Sequence, residues 1–106
     1  MVIYTTELTD VNYKSFIKNP LVLVDVYAIW CQPCKQIGPI VDQISFDFVG
    51  SLSVGKLDAD KAYETVTELG IRSIPTIILY KDGEIVEKVV GLTTKQKLVE
   101  MVNKYL

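Results

Sequence analysis

The chain has 106 residues, 49% of them apolar, with a formal net charge of −2, two cysteines and no histidine. That length suits one small domain, residues 1–106, around one core. The eleven Lys and Arg are dispersed, which excludes the basic footprint of a nucleic-acid binder, and no apolar stretch nears the ~20 residues that span a bilayer.

The β-branched and aromatic run Val2 to Thr5 predicts a first strand. Thr9 or Asp10 is placed to cap a helix running to about Lys18, with Val11, Phe16 and Ile17 facing inward. Asn19-Pro20 ends it, because a residue before proline avoids the helical region. Leu21 to Tyr27 is almost wholly apolar, the pattern of a central strand buried on both faces. A helix from about Gln32 to Phe48 follows, with Pro39 expected to kink it and Gly50 closing the segment. Leu52 to Asp58 is a further strand. Asp60 is read as the cap of a helix that ends at Gly70. Thr76 to Tyr80 and Ile85 to Val90 flank Lys81-Asp82-Gly83-Glu84, and Asp-Gly between β-branched runs predicts a hairpin. Thr93 and Gln96 resemble a capping box for a last helix, about Thr94 to Tyr105, with Leu98, Val99, Met101, Val102 and Tyr105 as its apolar stripe. The order β-α-β-α-β-α-β-β-α predicts an α/β fold: a central sheet covered by helices on both faces, ending in an antiparallel hairpin.

Met1 to Asp10 lack the basic flank and long apolar core of a secretory signal, so a cytoplasmic chain is expected. In a reducing compartment, thiols more often do chemistry or bind metal than staple a fold. Both cysteines lie in Trp30-Cys31-Gln32-Pro33-Cys34-Lys35, directly after the apolar strand. Cys31 falls at the start of a helix, where unpaired N–H groups and the positive dipole end favour thiolate, the attacking species. Cys34 lies one turn further on the same face, close enough for a disulfide with modest adjustment. The chemistry this supports is exchange: Cys31 attacks a target disulfide, and Cys34 resolves the mixed disulfide. Two other readings stand beside it. The thiols could be buried and structural, or could share a metal or iron–sulfur cluster between two chains, since one chain with no histidine and no second pair cannot close a usual zinc site.

Pro33 suits the first helical turn, where its missing N–H matters little, and should stiffen the site. Trp30 is read either as core packing or as a flat apolar group that shields the sulfurs and meets a docking protein. Asp25 interrupts the apolar strand, on the face shared with Leu21, Leu23 and Tyr27. Buried there, its ionised form is costly, its pKa rises, and it can take a proton from Cys34. At a sheet edge it would simply meet solvent. Lys56, aligned with Leu52 and Val54, is either solvated or set beside Asp25 to tune its proton affinity.

Together these pieces resemble the thioredoxin family. The matching residues run through nearly the whole chain: Val24-Asp25, Ala28, Trp30-Cys31, Pro33-Cys34-Lys35, Pro39-Ile40, Lys56-Leu57-Asp58, Ile71 through Thr76, Lys81-Asp82-Gly83 and Val90-Gly91. The resemblance implies the thioredoxin fold, a central five-stranded mixed sheet flanked by four helices. It implies Cys31 as nucleophile, Cys34 as resolving thiol, Asp25 as buried proton acceptor and Lys56 beside it. It also implies a cis Ile74–Pro75 bond opposite Cys31, where an extended substrate can pair with the backbone edge at Ile74. Trp30, Gln32, Pro33, Ile74, Pro75 and Gly91 would then meet the substrate. The activity implied is that of a protein-disulfide reductase that reduces disulfide-containing target proteins, maintains redox homeostasis and is recharged by a thioredoxin reductase. It implies no cofactor beyond the Cys31–Cys34 disulfide itself, no metal, and a monomer. Three positions depart from the family pattern. Gln32 replaces the usual glycine between the sulfurs, a place that can shift the reduction potential. Tyr27 replaces a tryptophan, and Ile29 adds an exposed apolar group. An isomerase or oxidase of the same redox class, and a docking module without turnover, are the competing functions; the absence of histidine between the cysteines counts against the isomerase.

Overall fold

The computed structural model describes residues 2–106. Nine elements follow in order: β1 (Thr5–Leu8), α1 (Tyr13–Phe16), β2 (Leu21–Tyr27), α2 (Gln32–Asp47), β3 (Ser53–Asp58), α3 (Tyr63–Glu68), β4 (Thr76–Lys81), β5 (Glu84–Val90) and α4 (Lys95–Asn103). The strands form one sheet ordered β1-β3-β2-β4-β5. β1, β3 and β2 run parallel, and β4 and β5 continue antiparallel. This is the five-stranded mixed sheet with four helices that the resemblance implied.

β2 lies at the centre, hydrogen-bonded on both sides, and Leu21 through Val26 are all buried. Its alternation feeds two apolar layers. Leu21 and Leu23 join Ile37, Val41 and Ile44 of α2 and Leu98, Met101 and Val102 of α4. Val22, Val24 and Val26 face the other way, with Leu8, Tyr13, Leu57, Ala62, Ile78 and Tyr80. A strand apolar on both faces has no solvent side to prefer, so it settles in the middle. Each fully buried aliphatic side chain contributes about 1.5–3 kcal/mol of transfer free energy.

Four local expectations are corrected. The first strand begins at Thr5 rather than Val2. Val2, Ile3 and Tyr4 are exposed, and the Tyr4 amide donates to Ser45 Oγ instead of to a strand. β-branching alone did not locate the strand; its register against Val54 to Leu57 did. Val11 does not face inward: it is 94% exposed, in the turn ahead of a helix of a single turn, and Tyr13 is the buried residue there. Asp60 caps nothing. The α3 N-cap is Ala62, which has no capping side chain. Asp10, far away in sequence, accepts from both the Thr65 amide (2.8 Å) and the Thr65 hydroxyl (2.6 Å) in the first turn of α3. Finally, Thr94 rather than Thr93 caps α4, its hydroxyl accepting from the Lys97 amide. Lys97 holds the position where a capping box needs Glu or Gln.

The hairpin is as expected. Asp82 (φ 52°) and Gly83 (φ 84°) both occupy the left-handed region, the pair of conformations a two-residue type I′ turn requires. α2 runs from Gln32 to Asp47 as one helix with Pro39 inside it. The carbonyl that loses its donor there belongs to Lys35, on an exposed turn where water can serve it.

Candidate active site

The site forms where β2 runs into α2. Cys31 is the α2 N-cap, in extended conformation, with Pro33 in the first turn. The chain enters the helix there because the cap sulfur can accept from an otherwise unpaired amide: the Cys34 N–H donates to Cys31 Sγ at 3.3 Å. The same amide would stabilise a thiolate on Cys31 after reduction. Cys31 and Cys34 are joined in a disulfide with their Cα atoms 5.3 Å apart. Both are about 95% buried and pack with Ala28, Tyr27 and Ile74.

The loop before β4 closes the other side. Its Ile74–Pro75 bond is cis, and the Ile74 carbonyl oxygen lies 3.9 Å from Cys31 Sγ. In the disulfide no S–H exists to make that a hydrogen bond; a reduced Cys31 thiol could donate to this oxygen. The Gly91 amide donates to the Pro75 carbonyl at 2.9 Å, so the turn after β5 holds the loop in place. Gln32 and Pro33 are exposed beside the sulfurs. Trp30 is 67% and Ile29 72% exposed, which rules out the core-packing reading of Trp30. The Trp30 indole N–H donates to Asp60 Oδ2 at 2.9 Å, and the Asp60 amide donates to Asp58 Oδ1 at 3.0 Å. A shallow apolar depression of about 350 Å³ beside Cys34 is lined by Tyr27, Ala28, Ile29, Cys34 and Lys35. A larger cavity of about 440 Å³, among Tyr13, Ile17, Leu69, Tyr80 and Ile85, shares none of these residues.

Asp25 lies on β2 beneath this assembly. It is 1% exposed, on a central strand, so the solvated-edge reading falls. Its Oδ1 has no hydrogen-bond partner among the described residues. Burial pushes its pKa up to about 6; the Lys56 charge pulls it down and the Asp42 charge pushes it up by smaller amounts. Lys56 is the direct register partner of Asp25 across the β2–β3 pair. Its ammonium, however, is 2.5 Å from Asp42 Oδ1.

The structure thus gathers Cys31, Cys34, Trp30, Gln32, Pro33, Ile74, Pro75 and Gly91 around one surface, with Asp25 and Lys56 on neighbouring strands of the sheet. Sequence reasoning missed two residues. Asp60, taken for a helix cap, anchors Trp30; the Asp58-x-Asp60 spacing carried an Asx-turn signal that could have found it. Asp42, which takes the Lys56 charge, had no local signal: it is one acidic residue on a helix, and its partner comes from another element.

No three His, Cys, Asp or Glu side chains among the described residues cluster to hold a metal. None of the helices is long and apolar enough to cross a membrane among the described residues. The Thioredoxin family model matches residues 4–104. A thioredoxin of Staphylococcus saprophyticus is 41% identical over 100 residues, covering 94% of this chain and 96% of that protein. One from Staphylococcus aureus is 39% identical over the same coverage. The solved structure of a mutant thioredoxin from Halobacterium salinarum superposes with a TM-score of 0.88 at 29% identity, covering 99% of this chain and 95% of that one.

Proposed function

The chain belongs to the thioredoxin family, and from that premise we propose how its residues divide the work of a protein-disulfide reductase. It is a thiol–disulfide oxidoreductase with Cys31 and Cys34 as its redox centre. In the proposed cycle the Cys31 thiolate attacks one sulfur of a target disulfide. A Cys31–target bond forms, the target S–S bond breaks, and one target thiolate leaves. Asp25 then takes the Cys34 proton, directly or through one water, and the Cys34 thiolate attacks Cys31 Sγ. The Cys31–Cys34 bond closes, the second target thiolate leaves, and the two thiolates take up protons, one of them returned by Asp25. Two electrons have passed from the dithiol to the target. Thioredoxin reductase reverses the change in the protein.

Trp30, Gln32, Pro33, Ile74, Pro75 and Gly91 are assigned to the docking of an extended target segment, which pairs with the backbone edge at Ile74. Lys56 tunes Asp25. The working unit is residues 1–106 as one domain, a cytoplasmic monomer that binds neither nucleic acid nor membrane and needs no cofactor or metal beyond its own disulfide.

The observation that carries the reading is the buried Cys31–Cys34 disulfide at a helix N-cap, at the end of the central strand that buries Asp25. Its test is equilibration of the Cys31–Cys34 pair against a dithiol buffer, together with trapping by Cys34→Ser. We expect a two-electron transition near or below the ~−220 to −260 mV glutathione poise and a stable Cys31 adduct with a disulfide substrate. A potential well above that range would make the protein an oxidase or isomerase and implicate Gln32. No reversible transition would leave the docking module as the better account.

A further inference from the structure

We infer that Asp42 is a positioning residue for this chemistry: its carboxylate holds the Lys56 ammonium against α2 and off Asp25, leaving Asp25 free to carry a proton. This rests on Asp25 acting as proton acceptor. Asp25 and Lys56 are direct partners on β2 and β3, so their side chains leave the same face of the sheet. Opposite charges so placed ordinarily meet. Here Asp25 Oδ1 is buried without a hydrogen-bond partner among the described residues, and the ammonium sits 2.5 Å from Asp42 Oδ1.

The path of Lys56 explains the choice. A side-chain carbon placed on Gly38 would lie 3.9 Å from Nζ, so the ammonium lies against the turn of α2 that Gly38 and Asp42 share. Asp42 is itself held. Its carbonyl accepts from Ser45 Oγ at 2.6 Å, and that oxygen accepts from the Tyr4 amide at 2.9 Å. The two charged side chains are 22% and 21% exposed. Water screens them less than a surface pair, while enough remains to spare them the cost of a fully buried one.

Every charged or titratable group turned to this face takes part in the balance. β3 brings Lys56 and Asp58, β1 brings Glu7, the partner of Lys56 on its other side, and α2 brings Asp42 and Cys34. β4 opposes Asp25 with Ile77, which is uncharged. α4 covers the face with Leu98, Met101 and Val102. On β2 itself, Tyr27 keeps its phenol proton to about 12. Removing the Asp42 charge leaves Lys56 between its two register partners, Asp25 and Glu7; Glu7 is exposed and already accepts from the Tyr27 hydroxyl at 3.4 Å, so the buried, unpartnered Asp25 gains more from the ammonium. Asp25 would then ionise at lower pH and become a weaker base for Cys34.

The test is a carbon NMR titration of the Asp25 carboxyl in the reduced protein, in wild type, Asp42→Asn, Lys56→Met and the double variant. The expected result is a midpoint lowered by about 1 pH unit or more in Asp42→Asn, the size of shift an opposite charge brings at contact, and a much smaller fall in the Lys56→Met background. The acid limb of the pH profile for mixed-disulfide resolution should move down with it, and Asp42→Glu, which keeps the charge, should restore both. An unchanged midpoint overturns the inference. So does an equal fall with and without Lys56, which would mean that Asp42 acts by its field alone. Asp25→Asn separates the two questions: if it resolves the mixed disulfide as fast as wild type, the acceptor role falls, while the midpoints still decide what Asp42 does to Lys56.

Discussion

Asp25 places a pH-dependent stability cost at the centre of the sheet. Burial pushes its pKa up to about 6 in the fold, against 3.8 for an ordinary aspartate. Between those values the folded chain holds a proton that the unfolded chain has lost, so stability falls as pH rises. The favourable contribution is complete below pH 3.8 and gone above about 6. Asp25→Asn removes the titration, and at pH 8 it should be more stable than wild type by roughly 2–3 kcal/mol. At pH 3.5 the gain should vanish. Urea midpoints of the oxidised protein at the two pH values measure this; an equal gain at both would mean that shape, and not ionisation, sets the cost. A residue that costs stability without a structural return points to chemistry, and this is why Asp25 was legible in the sequence: one carboxyl in an apolar strand is a local anomaly. Cys31 and Cys34 were legible for the same reason, through spacing and the helix start. Asp42 and Asp60 were not, because each draws its meaning from a group on another element. Lys56 stood between: its strand face could be read, but its choice between two carboxylates depended on how α2 lies over the sheet.

Elements were legible in proportion to how far their own residues decide them. β2, α2 and the β4–β5 hairpin came out with ends within about one residue of the reading, from an apolar run, a start signal at Cys31 with Pro33, and an Asp-Gly turn. The edges failed. β1 is a short edge strand whose place is set by pairing with β3, and α3 borrows its cap from Asp10 across the fold. The β1–β3 contact also shows a constraint with no sequence signature. Gly55 pairs with Thr6, and a Cβ there would come within 2.5 Å of Leu8 Cδ1, 2.8 Å of Leu8 Cγ and 3.0 Å of Phe16 Cε2. Leu8 is 2% exposed and has no room to retreat. Gly55→Ala should therefore cost about 1–3 kcal/mol by overpacking, although alanine suits a strand no worse than glycine. Denaturant unfolding gives the number, and hydrogen exchange should show the loss first in the amides of β1. A neutral result would mean that Leu8 can repack and that the edge is looser than it looks.

At the scale of the whole molecule, the two apolar layers share one sheet, and β2 contributes alternate side chains to both. Neither layer can come apart without exposing one face of that strand, so the 106 residues should unfold as one unit, as small domains usually do. The redox site belongs to the same unit. Cys31, Cys34 and Ala28 pack between the end of β2 and the start of α2, and Trp30 is tied to Asp60 beyond β3. Leu98 of α4 and Leu57 of β3 are each fully buried, in opposite layers. Truncating either to alanine should cost about 2–5 kcal/mol. Because the sites share no partners, the costs should add within about 0.5 kcal/mol, which would bring the double variant close to the limit set by a total stability of about 5–15 kcal/mol. Each single variant, kept oxidised, should still show one transition, with Trp30 fluorescence and far-UV circular dichroism falling together. Fluorescence changing ahead of dichroism in Leu57→Ala, but not in Leu98→Ala, would show the layers melting separately. The Trp30–Asp60 contact would then belong to the weaker layer, and the docking surface could loosen while α2 and its cysteines stayed folded.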